Sequence, residues 1–179
     1  RLNQTQGTRW TGVSDPSGIV GFMSLQLAKA ALWCTPGIGN GSISALEQQS
    51  GNLAELFEQP CHEWAGRAPL RPEAKVFLMK QPSLSVHWQT VAEKASSVHC
   101  QVVLQGDEHY PKRFAVNPEV APPVLFARGD VARHPSEQPG LSCAWVGSRS
   151  SSSRDAIQSS RWSAELAQAG VCIVSGAAE

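Results

Sequence analysis

The residues best placed to do chemistry are Trp145-Val146-Gly147-Ser148-Arg149, separated by a helix-like run from Val171-Cys172-Ile173-Val174-Ser175-Gly176. Gly147 permits a tight turn. The amides after it can open a helix N-terminus, where unpaired donors and the macrodipole favour an anion. Arg149 adds a planar guanidinium whose fork matches phosphate oxygens. The chemistry on offer is therefore phosphate binding. The competing reading of Arg149 is an exposed arginine in a structural ion pair. Ser150 to Ser153 can cap the following helix or donate hydroxyls to phosphate, and capping is the simpler role.

The rest of the chain holds no catalytic constellation. His62, His87, His99, His109 and His134 lack metal-ligand spacing, so no metal is assigned. The serines lack the G-x-S-x-G elbow of a hydrolase. Neither G-x-G-x-x-G nor a Walker A sequence occurs, which leaves dinucleotide and ATP cofactors without support. The five cysteines, Cys34, Cys61, Cys100, Cys143 and Cys172, are odd in number and form no C-x-x-C pair. They read as small core residues in a reducing cytoplasm, with Cys143 and Cys172 in buried strands.

Three elements must position the phosphate-sized turn. Cys143 to Val146 is an apolar run that suits a strand buried on both faces. Ser153 to Ala169 reads as a helix turning Ala156, Ile157, Ser160, Ala164 and Ala167 towards the sheet. Val171 to Val174 is the returning strand. Strand, turn, helix, strand is the opening βαβ unit of a Rossmann-type sheet. Two parallel strands and one helix cannot cover both faces of a sheet. The chain of 179 residues also opens on Arg1 rather than Met, so a piece of a longer protein is expected.

Upstream, residues 1–21 read as a polar, disordered tail or a mis-assigned start. Phe22, Leu25, Leu27, Ala28, Ala31 and Leu32 come next at helical spacing. Thr35-Pro36-Gly37-Ile38-Gly39 then interrupts, and Ser42 is the expected N-cap of a second helix carrying Ile43, Leu46 and Gln49. Helix, Pro-Gly-Ile-Gly turn, helix is a helix-hairpin-helix pattern. Such a turn either brings the amides of Gly37, Ile38 and Gly39 to a nucleic-acid phosphate or simply joins two packed helices. A helix over Leu53–Gln59 comes next, then a linker over residues 60–73 with Pro60, Gly66, Pro69 and Pro72. A helix over Leu84–Ala95 leads to strands at Gln101–Leu104 and Val124–Ala127. The fold class is α/β, with a helical 22–73 segment and linker followed by a Rossmann-like segment at 74–179.

Charge narrows the partners. Lys+Arg and Asp+Glu both number 15, a formal net charge of zero, which excludes a surface that is basic throughout. No signal peptide or membrane-length apolar run is present.

Several stretches in order resemble the DprA/Smf family of bacterial DNA-processing proteins. They are the Pro-Gly-Ile-Gly hairpin, Asp107-Glu108-His109-Tyr110-Pro111, Pro122 to Asp130, the Val-Gly-Ser-Arg turn, and Gly170 to Gly176. The likeness runs from about Leu25 to Glu179. It implies an N-terminal SAM-like helical domain followed by an extended Rossmann domain, here incomplete. It also implies a non-enzymatic, cytoplasmic protein that binds and protects incoming single-stranded DNA. Such proteins help load the RecA recombinase in natural transformation, and homodimerise at full length. Gly147, Ser148 and Arg149 carry over as the DNA pocket, Ser152 as a matching hydroxyl, and Ser175 and Gly176 as a second pocket loop. Two departures stand out. Arg154-Asp155 replaces a Tyr-Gly pair, and Glu179 puts an acid where the family favours a base.

A second reading keeps the fold and changes the class, to a nucleotide or sugar-phosphate binder or a phosphoribohydrolase of the lysine-decarboxylase-like group. A Pro-Gly-Gly-x-Gly-Thr loop would mark it, in a region expected beyond Glu179. A third is an inactive fragment with an exposed sheet edge.

Overall fold

The computed structural model describes residues 19–129, 141–147 and 150–176. Helix α1 (Ile19–Trp33) is central. Ala28, Ala30, Ala31 and Leu32 have no exposed surface, and together they span most of the helix circumference. A helix buried over most of its surface must be largely apolar, and its alanines let neighbours approach closely. The neighbours are α2 (Asn40–Ser50), α3 (Leu53–Leu56), α6 (Leu84–Ser97) and β1 (Gln101–Leu104). Residues 19–21, expected within the tail, are the first turn of α1. The remainder of that tail, residues 1–18, lies outside the described residues.

The turn after α1 is built by local chemistry. Thr35 Oγ1 donates back to the Ala31 carbonyl, Pro36 cannot continue the helix, and Gly37 takes φ +77°, where a side chain would be strained. Helix α2 starts two residues before the expected Ser42 cap. Gly39 is the N-cap and offers no side-chain bond. Asn40 explains the earlier start, because its Nδ2 donates to the carbonyls of Glu119 and Ala121, at 2.8 and 3.2 Å. Tertiary bonding sets where this helix begins. Ile43 and Leu46 are buried as expected, and Gln49 is exposed.

The linker expected over residues 60–73 is instead part of the core. Cys61 and Ala65 are fully buried, and Ala68 and Leu70 nearly so. Helix α4 (Cys61–Trp64) lies within the segment, and helix α5 (Pro72–Leu78) begins at its end. Pro72 sits at the first turn of α5, where its missing N–H costs nothing. Prolines here open helices rather than marking a flexible tether. The Cys61 amide donates to the Pro82 carbonyl, and the Ser85 amide to that of Phe57, which fastens the segment to the start of α6. Ser83 caps α6 by accepting from the Val86 amide.

One buried cluster runs from Ala28 on α1 to Val124 on β2 (Val124–Ala127), crossing the division after residue 73 without a break. Strands β1 and β2 pair antiparallel, with Leu104 opposite Val124. That pair faces the helices, while Val103 faces a small second cluster with Tyr110 and Ala121. The stretches carrying the family likeness are bonded here. Tyr110 Oη donates to the Pro122 carbonyl at 2.7 Å, and Asp107 Oδ2 accepts from the Leu104 amide. A short helix, α7 (Lys112–Ala115), comes directly after Pro111. Both stretches thus help hold the β1–β2 sheet together.

The last unit is β3 (Ser142–Trp145), α8 (Ser153–Gln168) and β4 (Cys172–Ser175), the expected strand, helix and strand, with β3 and β4 parallel. Two expectations about it are corrected. Cys143 and Cys172 are half-buried, and Val146 is 91% exposed, so β3 is not covered on both faces. Helix α8 also turns a different face inward. Ile157 is 72% exposed, and Ala156, Ser160, Ala164 and Ala167 are also on the exposed side, whereas Ser159, Ser163 and Leu166 are half-buried. The indole N–H of Trp145 donates to Ser159 Oγ at 2.6 Å, on that half-buried face. The described residues thus form two two-stranded sheets.

Candidate nucleic-acid interface

The register of β3 and β4 sets the geometry. Trp145 lies opposite Ser175, so the chain leaves both parallel strands at the same level. Gly147 and Gly176 therefore flank one carboxyl edge, the side on which open α/β sheets bind ligands. Helix α8 begins at that edge. Ser152 is its N-cap, accepting from the Asp155 amide at 3.2 Å, and its own hydroxyl donates to Asp155 Oδ2 at 2.6 Å. Ser152 thus serves the helix first. Of the six residues carried into this pocket by resemblance, Gly147, Ser152, Ser175 and Gly176 are brought together here. Ser148 and Arg149 lie outside the described residues, as do Asp130 and Glu179.

Asp155 brings a carboxylate into the first turn of α8. An acid there interacts favourably with the helix dipole and competes with any anion approaching the same amides. The Ser152-x-x-Asp155 spacing is a capping signature legible in the sequence. Its consequence for an anion site becomes plain only once the Ser152–Asp155 bond is seen.

A groove of about 990 Å³ opens beside this edge, between β3 and α8, lined by Trp145, Gly147, Ser150, Asp155, Ser159 and Trp162 among others. Its walls include serine hydroxyls, two tryptophans and the Asp155 carboxylate. Trp162 is 52% exposed, although Trp is a residue that folding normally hides.

The hairpin residues sit in a different setting. Gly37 is exposed, whereas Ile38 and Gly39 are half-buried, and Ile38 packs on the main core. A side chain at Gly37 would collide with the Glu73 carboxylate. An acid at that turn repels a phosphate, and the adjoining Asn40 is committed to Glu119 and Ala121. The turn joins two packed helices.

Reactive groups are scarce. Burial pushes the thiols of Cys34 and Cys61 up to about 11, so neither is a thiolate near neutral pH. Among the described residues, no three His, Cys, Asp or Glu side chains are grouped to hold a metal. No described helix is long and apolar enough to cross a membrane.

None of the curated proteins is similar to this chain. Residues 101–179, from β1 to the end of the chain, match the family of the DNA recombination-mediator protein A. The matched range holds the Tyr110–Pro122 scaffold and the whole β3–α8–β4 unit. The carboxyl edge with its paired turns falls inside the segment that is similar to the DNA recombination-mediator protein A family.

Proposed function

We propose that this chain is a single-stranded DNA-binding mediator of recombination that gathers backbone phosphates at the carboxyl edge of β3 and β4. The observation carrying this reading is the register that sets Trp145 opposite Ser175, so that the Gly147 and Gly176 turns and the α8 N-terminus share one edge. Amides of the two turns and the guanidinium of Arg149 are the donors. Such a site reads the backbone and not the bases, so its affinity is salt-dependent and its sequence preference weak. Asp155 lowers the affinity by holding negative charge at the same helix end. The protein acts as a binder rather than an enzyme, in the cytoplasm. It protects incoming DNA and hands it to RecA, with a second copy as its partner. In the same reading the Rossmann-like sheet carries the DNA, and the SAM-like helical region supports it.

Fluorescence anisotropy with labelled oligo-dT, comparing wild type and Arg149→Ala across a salt series, tests the proposal. Loss of one charge-assisted contact weakens binding by about tenfold or more at low salt. It also reduces the salt slope by about 0.7 for a single strand. A wild-type protein that ignores oligo-dT at low salt would overturn the reading.

A further inference from the structure

The groove beside the phosphate edge contains more than a backbone site requires. Phosphate binding calls for amides and cations, yet the wall running away from Gly147 also carries two tryptophans and several serines. Trp145 is held in place by its bond to Ser159 and is half-buried, so it forms part of the wall. Trp162 lies seven residues beyond Asp155, roughly 10 Å along the axis of α8. It presents half its surface to the groove and solvent. An aromatic face so placed, at about the reach of one nucleotide from the helix start, matches a nucleobase whose phosphate lies at the turn.

We infer that Trp162 is a stacking platform for an unpaired base of the DNA strand whose phosphates the carboxyl edge holds. This inference rests on the proposed phosphate site and adds the base-binding half of it. Every base has a π-face, so the platform tolerates all sequences. The hydroxyls of Ser159 and its neighbours tolerate either donors or acceptors on a base edge. Bases in a duplex are already stacked and paired, so they are inaccessible to Trp162. The platform therefore makes the edge selective for single strands, a property that phosphate contacts alone do not provide.

An abasic oligonucleotide, which keeps the phosphates and lacks the bases, separates the two halves. The full chain is titrated with labelled oligo-dT and with an abasic strand of equal length, as wild type, Trp162→Ala, Trp162→Phe and Arg149→Ala. Wild type binds oligo-dT about fivefold or more above the abasic strand, the lower range for one stacked base. Trp162→Ala removes that difference without changing the salt slope, Trp162→Phe restores much of it, and Arg149→Ala weakens both strands. Equal wild-type affinity for the two strands overturns the stacking inference and leaves the phosphate reading standing. Absence of binding to either strand overturns both. Far-UV circular dichroism verifies that each variant is folded, and an unfolded Trp162→Ala leaves the decision to Trp162→Phe and to the wild-type comparison of the two strands.

Discussion

Asn40 offers a test in which the sign of the effect, and not only its size, separates local from tertiary control. It is the first residue of α2, and in isolation an acid there would favour the helix dipole by about 0.3–1 kcal/mol. In the folded chain, however, its Nδ2 serves two carbonyls, Glu119 at 2.8 Å and Ala121 at 3.2 Å. One bond is exposed and the other part-buried, so each contributes towards the lower part of the usual net 0.5–1.5 kcal/mol, about 1–2 kcal/mol together. Asn40→Ala should lose that amount. Asn40→Asp should lose at least as much, because a carboxylate then faces two carbonyl oxygens and outweighs the gain from the dipole. With a urea m-value of about 2 kcal/mol/M, the midpoint moves down by roughly 0.5–1 M, well within reach of far-UV circular dichroism. An Asn40→Asp protein more stable than wild type would refute the reasoning, since it would mean that the helix end, and not the Glu119 loop, governs this residue.

The packing leads to three further outcomes. Leu32→Ala removes a fully buried side chain from the centre of the core and should cost about 2–5 kcal/mol in urea unfolding. Trp145→Phe removes the indole donor to Ser159 and should cost about 1 kcal/mol locally. It reads out as faster hydrogen exchange in β3 and β4, with the α1 amides unchanged. His87 supplies the pH dependence. Burial holds its pKa below the ordinary value of 6.5, with Lys94 acting in the same direction, while bonds to the backbone of Ala31 and Cys34 oppose the shift. The unfolded chain then binds the proton more readily, so stability is complete above about pH 6.5 and falls as the pH drops below it. Thermal melting of wild type should lose more between pH 7.5 and pH 5 than melting of His87→Leu, and equal losses would exclude His87 as the source.

Local pattern was enough to locate the strands and long helices. The β-branched and aromatic runs at Gln101–Leu104 and Val124–Ala127 are strands with the expected bounds, and α6 starts at the expected Leu84 behind a Ser83 cap. The parallel β3–α8–β4 unit was likewise legible, because a short apolar run, a glycine turn and a capped helix are local signals. The ordered stretches from Asp107 to Gly176 pointed to the family that the match over residues 101–179 bears out.

The errors share one physical cause, which is that burial is decided by partners distant in the chain. Prolines between Pro60 and Pro72 suggested a tether, but the apolar positions among them, Cys61, Ala65, Ala68 and Leu70, are buried in the common core. The rotation of α8 could not be read from its small residues, since the face turned inward is the one carrying Ser159, Ser163 and Leu166, with Ser159 bonded to Trp145. The start of α2 was hidden for the same reason, its first residue answering to carbonyls about eighty positions away. Sequence alone determined which residue types could bind a phosphate and the strand–helix–strand order that would carry them. Only the tertiary structure decided which of those residues meet, because the β3–β4 register aligns the two turns. It also set the acid of Asp155 at the helix end and left the face of Trp162 open beside it.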